Sequence, residues 1–384
     1  MRANLRFDQA GGANRRFRPS DVSALLAAPA PSATRQPKVL LAGKLTAMAA
    51  PGGGETQLLA MAQALPQAGV AARLWRPWED SLAGADCLHL FGSLPEHLEL
   101  AAAARHCGVP VALSTIAWFD LPAVWSEPRP WPGRLLAAGK FLARSACPRI
   151  PSWRRKLYQS VDLLLPNSRL EAAQLVRYFG IPKQRIQVIP NGADLRFADA
   201  SPAPFARLAG GRGFVLYAGR IEPRKNQLGF LRAMQSTNVP IVMLGDVVPG
   251  HERYLQACRR AAGDNVKFIG RLGHNDPLLA SAYAACGCLA LASWFETPGL
   301  VALEAGMSGV PLVLPAAGAA QEYFGSLAEY VSPGNPREIR AAVLRALQRG
   351  RSPALARCVQ REFSWRAAAV ATREAYETLQ MTEK

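Results

Sequence analysis

The sequence has few acidic residues and no long apolar run. Among its 384 residues, 45 are Lys or Arg and 28 are Asp or Glu, which leaves a net charge of +17. The lack of any stretch of about 20 apolar residues argues against a membrane-spanning helix, and residues 1–7 lack the apolar region of a secretory signal. The charge excess favours an anionic partner: nucleic acid, a membrane surface or phosphorylated small molecules. A high-GC genome, which favours Arg codons, is the alternative explanation.

Metal and dinucleotide signatures are missing as well. The seven cysteines are scattered, and the close pair Cys286 and Cys288 lacks C-x-x-C spacing. We therefore expect free thiols in a reduced, cytoplasmic compartment. The sequence has no G-x-G-x-x-G fingerprint, and the lack of a D-x-D triplet predicts that no metal is needed. No zinc-finger, RNP-strand or helix-turn-helix pattern occurs, so we expect no nucleic-acid partner.

The apolar pattern predicts an α/β chain with two doubly wound, Rossmann-like domains. Continuous apolar strands that alternate with helices are typical of parallel sheets covered on both faces. We expect a basic, mostly irregular tail at 1–36, a first domain at 37–200, a second at 210–363 and a C-terminal helix at 364–384. Residues 198–213, rich in Ala, Pro and Gly, are interpreted as a linker. The predicted strands are 37–42, 71–75, 87–91, 109–114, 161–168, 214–218, 239–244, 266–269, 288–292, 310–314 and 329–331.

Residues 293–304 predict a helix that begins directly after a strand. Thr297 followed by Pro298 combines a hydroxyl N-cap with a proline at the first helical position. Glu296 then ends the strand, and Glu304 lies about two turns into the helix, roughly 10 Å along its axis.

The start of this helix is predicted to bind a phosphate. The N–H groups of Gly299 and Leu300 are free, the helix dipole is positive at this end, and Gly299 has no side chain to block an approaching ligand. An anion pocket between Glu296 and Glu304 matches a nucleotide sugar, which has a diphosphate between two groups of hydroxyls. The alternative is that Glu304 is a solvated residue on the helix face.

A basic turn follows the first strand of the second half. Gly219 marks the strand-to-helix turn, and Asn226 can begin the next helix. Arg220 and Lys225 therefore lie at the same sheet edge as Glu296, where they could bind a diphosphate and stabilise it as a leaving group. A solvated basic turn is the alternative.

The first half has weaker candidates. Its first strand leads into Gly52, Gly53 and Gly54 before a helix, which is the opening of a Rossmann-like unit and would let a ligand approach the backbone; a flexible loop is the alternative. Thr115, Trp118 and Asp120 follow the fourth strand, where an acceptor could reach them. His89, within the third strand, is interpreted as a packed core residue.

Residues 134–156 form a basic segment without one acid. Leu135, Leu136, Phe141 and Leu142 could form an apolar face in its first half. Such a segment can lie on an anionic membrane surface. It can equally be a helical hairpin whose apolar side is buried in the domain, and the sequence leaves both interpretations open.

These motifs together resemble the retaining glycosyltransferases of family 4, which have the GT-B fold. The resemblance is clearest over residues 160–380 and weaker over 37–150. It rests on Gly219-Arg220 with Lys225-Asn226, Glu296 and Glu304 at E-x7-E spacing, residues 190–194, residues 363–365 and Tyr376.

The resemblance implies two lobes that face each other across a cleft, with the C-terminal helix crossing back to the first lobe. It implies that Arg220 and Lys225 bind the donor diphosphate, assisted by the helix start at Thr297. Glu296 would hold hydroxyls of the donor sugar, and Glu304 would hold the ribose hydroxyls.

By the same resemblance, the 52–54 loop would face the donor phosphates, and the base would lie near Arg271 and Leu272. Two departures stand out. Pro298 removes an N–H donor from the phosphate-binding turn, and Ala117 occupies a position where many relatives have a histidine.

The expected function is a retaining, metal-independent transfer of a sugar from a nucleotide diphosphate sugar to an acceptor hydroxyl, without a cofactor. The implied partners are a nucleotide sugar, a saccharide or lipid-linked acceptor in bacterial surface polysaccharide or glycolipid synthesis, and an anionic membrane surface at the inner face of the cytoplasmic membrane. Three alternatives stay open: a nucleotide-sugar epimerase on the same fold, a basic nucleic-acid- or membrane-binding protein, and a catalytically inactive membrane-bound scaffold.

Overall fold

The computed structural model describes residues 36–44, 52–120, 131–147, 150–297 and 299–381. Nearly all of the tail predicted at 1–36 lies outside these ranges, as does Pro298. Within them, no helix combines the length and the apolar character needed to cross a membrane.

The first lobe is built on a five-stranded parallel sheet with the strand order β2-β1-β3-β4-β5. Its central strands are apolar and buried along their whole length, as expected for a sheet covered on both faces. The strands are β1 Lys38–Ala42, β2 Ala71–Leu74, β3 Cys87–Phe91, β4 Val111–Ser114 and β5 Leu163–Leu164. The helices are α1 Gly53–Ala64, α2 His97–His106, α3 Trp131–Ala146, α4 Trp153–Ser160 and α5 Arg169–Phe179.

The second lobe has a six-stranded parallel sheet with the strand order β11-β10-β9-β6-β7-β8. Its strands are β6 Val215–Ala218, β7 Ile241–Leu244, β8 Val266–Phe268, β9 Cys288–Ala290, β10 Leu312–Pro315 and β11 Glu329–Val331. Its helices are α6 Ala203–Ala209, α7 Gln227–Met234, α8 Glu252–Ala261, α9 Pro277–Ala285, α10 Leu300–Met307, α11 Ala320–Phe324, α12 Pro336–Arg349 and α13 Pro353–Glu362. Each predicted apolar run contains a strand, and the predicted α/β class is confirmed.

The linker interpretation of residues 198–213 is wrong. Helix α6 lies within this range and buries Phe205 in the core of the second lobe. Ala193 and Phe197 belong to the same core. The small residues of this segment therefore let a short helix pack closely, with Phe205 as its anchor.

The C-terminal helix, α14 Trp365–Met381, crosses back to the first lobe as expected. Trp365, Ala369 and Tyr376 are buried in the core that α1 and the first sheet form. The Tyr376 hydroxyl also lies 2.6 Å from Nδ1 of His89, whose other ring nitrogen contacts Ser114. His89 is thus a packed core residue, as predicted.

Candidate functional site

The turn after β6 is held against the loop after β9 by the side chains of Tyr217 and Asn226. The Tyr217 hydroxyl accepts from Ala292 N and donates to the carbonyl of Lys225. Asn226 adopts a left-handed conformation at the start of α7, and its Nδ2 donates to the Ala292 carbonyl at 3.0 Å. The prediction that α7 begins at Asn226 is confirmed, and the result is that Lys225 is held beside the loop after β9.

Lys225 and Glu296 form a buried ion pair at this edge. The Lys225 Nζ lies 2.5 Å from Glu296 Oε1, and the Ser293 hydroxyl donates to the same oxygen at 2.6 Å. Burial opposes ionisation of Glu296, but the charges of Lys225 and Arg224 outweigh it and hold the Glu296 pKa below its ordinary value. The carboxylate is therefore ionised at neutral pH, and the pair is an oriented charge couple.

The predicted start of the next helix is wrong by a few residues. Strand β9 ends at Ala290, and Glu296 lies in the following loop, where it forms an isolated bridge with Gly318. Helix α10 is capped by Gly299, at a φ of 84°, and not by Thr297, which precedes it. Glu296 is thus still paired with Gly318 at the point where the helix was expected to begin.

Glu304 lies on the first turns of α10, closer to the helix start than predicted. It is 4% exposed, accepts from the Tyr283 hydroxyl at 2.6 Å and lies 3.5 Å from His274 Nδ1. Burial raises the pKa of Glu304 to about 7, although Tyr283 and Arg196 act in the opposite direction. The alternative of a solvated Glu304 is therefore wrong.

Arg220 faces the first lobe. Its side chain is 53% exposed and lies 3.7 Å from Glu222, which also binds Arg224. A Cβ atom added to Gly52 would lie only 3.4 Å from Arg220 Nη1, so the guanidinium reaches the start of α1 across the cleft. The N–H groups in the first turn of a helix have no intrahelical partner, which makes this start suited to an anion.

A cavity of about 250 Å³ lies at this meeting point. Its lining joins Gly53, Gly54 and Ile116 of the first lobe to Arg220 of the second. The structure thus brings the predicted glycine loop and the predicted basic turn to one site.

The predicted acceptor-side residues lie beside this cavity in different environments. Thr115 is fully buried, and its hydroxyl donates to Glu171 at 2.5 Å. Trp118 is partly buried against the core of the second lobe and donates to Asp120 at 2.7 Å. Thr115 is therefore enclosed, whereas the hydrogen-bonded Trp118 and Asp120 are only partly buried.

The predicted base-side residues lie on the loop after β8. Arg271 is exposed, whereas Leu272 packs against the core of the second lobe. Leu300, at the start of α10, packs against both lobes. In the part of the chain that the structure describes, no group of three or more His, Cys, Asp or Glu side chains is placed to hold a metal ion.

Several contributors were missed from the sequence. Tyr217 connects the two loops, Tyr283 and His274 contact Glu304, and Glu171 holds the loop after β4. Ser293 could have been predicted, because it precedes Glu296 by three residues within the stretch 293–304 that predicts the helix start. The others are distant in sequence from their partners and have no local pattern.

The arrangement of the two lobes is that of the GT-B fold. The chain is similar to sucrose-phosphate synthase from Thermosynechococcus elongatus, with a TM-score of 0.69, 19% identity, and coverage of 90% of this chain and 100% of that chain. It is also similar to HepE from Anabaena, solved in complex with UDP and glucose, with a TM-score of 0.65, 18% identity, and coverage of 90% and 100%.

Two family models match consecutive parts of the sequence. The model described as Glycosyltransferase Family 4 matches residues 71–197, and the model described as Glycosyl transferases group 1 matches residues 204–363. The chain belongs to the group 1 glycosyltransferases of the family 4 type, which confirms the resemblance seen in the sequence.

A curated relative is similar over part of its length. O-antigen chain mannosyltransferase B from Escherichia coli is 27% identical over 250 residues, which are 60% of this chain. The match spans 65% of the relative's own length.

Proposed function

We propose that this protein transfers a sugar from a nucleotide diphosphate sugar to a hydroxyl of a saccharide or lipid-linked acceptor, with retention at the anomeric carbon and without a metal. The observation that carries the proposal is the meeting of Arg220 with the glycine start of α1 across the cleft, on the same turn that holds the Lys225–Glu296 pair. The turn after β6 thus supplies a cation to the cleft at Arg220 and, five residues later, one member of a buried ion pair.

The donor diphosphate would lie between these groups. Arg220 is exposed enough to bind two phosphate oxygens, whereas the buried Lys225 is a fixed point charge. The first turns of α1 and α10 add positive dipole ends and backbone N–H groups without intrahelical partners, although Gly52 N at the start of α1 already donates to Glu55 at 2.7 Å. Charge that develops on the leaving diphosphate would meet groups that are already oriented, which is the most effective form of electrostatic stabilisation.

Glu296 suits a sugar-orienting role. Its Oε1 is engaged by Lys225 and Ser293, and a Cβ atom at Gly299 would lie 3.3 Å from Oε2, so both oxygens lie at the start of α10. An ionised carboxylate here can accept hydrogen bonds from sugar hydroxyls. Glu304, buried farther along α10, would accept from the ribose.

The acceptor class rests on the relatives. One relative is described as an O-antigen chain mannosyltransferase, and a structural neighbour is described as a lipopolysaccharide outer core galactosyltransferase. Bacterial surface polysaccharide or glycolipid synthesis is the setting that these descriptions favour for this chain.

Helix α3 supports a second part of the proposal, contact with an anionic membrane surface. Trp131, Leu135, Leu136 and Leu142 are exposed on this helix. These leucines are therefore not buried as the hairpin alternative requires, whereas Phe141 of the same predicted face packs against Tyr178 of α5. Basic residues of the same segment, among them Lys140, would meet lipid phosphates while the leucines enter the interface.

The function is tested by release of the nucleoside diphosphate. UDP, GDP and ADP would first be ranked by thermal shift, and their hexose conjugates would then be incubated with and without an oligosaccharide acceptor, in the presence of EDTA. Acceptor-dependent release with retained anomeric configuration supports the proposal. Conversion of the donor alone to an epimer, or loss of transfer in EDTA, contradicts it.

Membrane contact is tested by sedimentation with vesicles that contain anionic lipid. We expect binding at low salt and release at high salt. Leu135→Glu with Leu136→Glu should weaken binding, whereas Leu344→Glu, at an exposed leucine of α12, serves as the matched control. Equal binding of both variants, or no binding at low salt, contradicts the membrane contact.

A further inference from the structure

The loop after β4 contains a strained residue that faces the cleft. Ile116 has a φ of 44°, a conformation that β-branched residues rarely adopt. Its side chain lines the cavity, and its Cδ1 would lie 3.6 Å from a Cβ added to Gly54. Such strain costs about 1–3 kcal/mol and persists only where the surroundings enforce it.

Helix α5 supplies the enforcing contacts on both sides of Ile116. Glu171 Oε1 accepts from the Thr115 hydroxyl and, at 2.7 Å, from Ala117 N. Gln174, one turn farther along α5, accepts from Phe119 N at 2.8 Å. The residues before and after Ile116 are thus bound to one carboxylate.

Glu171 is itself fixed from the other side. It is fully buried, and its Oε2 accepts from Asn167 N at 2.9 Å. The Asn167 carbonyl in turn accepts from the Tyr323 hydroxyl of the second lobe at 2.6 Å. A carboxylate that accepts three hydrogen bonds without one exposed atom has little freedom to move.

We propose that Glu171 is a positioning residue for the transfer reaction: it holds Thr115 and Ala117 so that Ile116 stays in its strained conformation and forms a wall of the cavity opposite Arg220. Glu171 does not touch the substrate. Glu171 would act indirectly, because the position of Ile116 shapes this side of the cavity. That shape would set the direction from which the acceptor approaches the donor sugar. This role rests on the proposed function, because it concerns the same cavity.

The first test measures the loop in the full-length protein without ligand. In Glu171→Gln, the side-chain NH2 group must face a backbone N–H, either of Ala117 or of Asn167, so at least one hydrogen bond is lost, and the bonds that remain are weakened because their acceptor no longer carries a charge. Amide hydrogen exchange of residues 115–119 should accelerate by about tenfold or more, the equivalent of one such bond. Gln174→Ala, which removes the bond from Phe119 alone, should accelerate exchange less.

A matched control is Glu329→Gln. Glu329 also binds two groups, the guanidinium groups of Arg345 and Arg349, but lies on the edge strand β11. This variant should leave exchange at 115–119 unchanged. Unchanged exchange in Glu171→Gln as well would overturn the proposal, and Thr115→Val, which removes one donor to the Glu171 carboxylate, decides the matter if Glu171→Gln does not fold.

The second test separates positioning from a loss of folded protein. UDP binding by calorimetry counts the functional donor sites, and turnover of UDP-glucose is expressed per site. Glu171→Gln should keep the UDP dissociation constant within about twofold of wild type, because Arg220 and Lys225 are untouched, while kcat per site falls about tenfold or more. A purely structural role would reduce the number of sites and leave kcat per site unchanged, which would overturn the proposal.

The two tests distinguish failure of positioning from failure of the proposed function. If the wild type binds no UDP and turns over no UDP-glucose, the use of this donor fails, and the exchange measurement alone decides whether Glu171 holds the loop. Accelerated exchange at 115–119 would then still support the positioning contact.

Discussion

Lys225 and Glu296 are separated by 71 positions in the sequence, yet their charged atoms lie 2.5 Å apart. Tyr217 and Asn226 make the contact possible by binding the two loops together at the sheet edge. The protein itself therefore fixes the orientation of the two charges, and fixed charges stabilise a developing charge with little reorganisation.

The first prediction concerns this pair. Lys225→Met leaves Glu296 buried without its cation, and breaking such a pair costs about 3–5 kcal/mol. Combining it with Glu296→Leu should recover most of that stability, because an apolar pair needs no partner charge, but transfer should stay lower by orders of magnitude. Urea unfolding and kcat/KM measure the two effects.

The control for the pair is Arg345→Ala, which removes a half-exposed partner of Glu329 and should cost no more than about 1 kcal/mol. If Lys225→Met lowers the free energy of unfolding by no more than this control does, the Lys225–Glu296 pair does not stabilise the fold. Near-normal turnover in either site variant would contradict the assigned roles.

The second prediction separates phosphate binding from nucleoside binding. Arg220→Ala should lower UDP affinity about tenfold or more, since hydrogen bonds to charged groups contribute about 1.5–3 kcal/mol. Uridine affinity should not change. Arg361→Ala is a matched control, because Arg361 is also half-exposed and paired with a glutamate. Equal losses for UDP and uridine, measured by calorimetry, would show that Arg220 does not bind the diphosphate.

The third prediction concerns Gly318. A Cβ atom there would lie 2.1 Å from the Glu296 carbonyl oxygen, and the residue has a φ of 105°. Gly318→Ala should therefore destabilise the protein by more than about 2 kcal/mol and displace Glu296. Gly250→Ala, at a φ of 88° with open space around it, tests the strain alone and should cost about 1 kcal/mol. Similar midpoints of thermal unfolding for both variants would contradict the close approach.

The fourth prediction uses the pH dependence of Glu304. Its pKa is about 7 in the folded protein and near 4.5 in the unfolded chain, so its contribution to stability is complete below about pH 4.5 and is lost as the pH rises toward 7. Tyr283, His274, Arg196 and Asp194 face it. The side chain introduced by Glu304→Gln cannot ionise, so the variant does not lose this stability as the pH rises.

The stability of Glu304→Gln relative to wild type should thus rise between pH 5 and 8 by about 3 kcal/mol, at about 1.4 kcal/mol per pKa unit. Chemical denaturation at several pH values measures the difference. A difference that is constant with pH would mean that Glu304 titrates at its ordinary value in the folded protein.

The sequence predicted the fold closely because several of its strands are apolar along their whole length. Cys288–Ala290 and Val215–Ala218 are buried at every position, which is the pattern of a parallel sheet covered by helices. The same logic placed Arg220, Lys225 and Glu296 at one edge, because carboxyl ends of parallel strands share an edge. The roles of these residues stay predictions until ligand binding is measured.

Tertiary contacts account for what the sequence could not predict. Thr297 and Pro298 form a strong local signal for a helix start, but the bridge between Glu296 and Gly318 overrides it. The role of Glu171 could not be predicted from the sequence either. It lies in the first turn of a helix, where acids are common, and its partner Thr115 is 56 positions away. The local sequence pattern does not show which acids in a first helical turn have buried side chains.

The crossing of the chain between the lobes has a mechanical consequence. Ala193 N donates to the Phe363 carbonyl, and a Cβ atom at Gly192 would lie 2.3 Å from the backbone of Ser364, so the outgoing and the returning segments touch. Sliding or separating the lobes would break this contact. Swinging them about it would not, and any opening of the cleft to admit substrate is therefore confined to a pivot at this crossing.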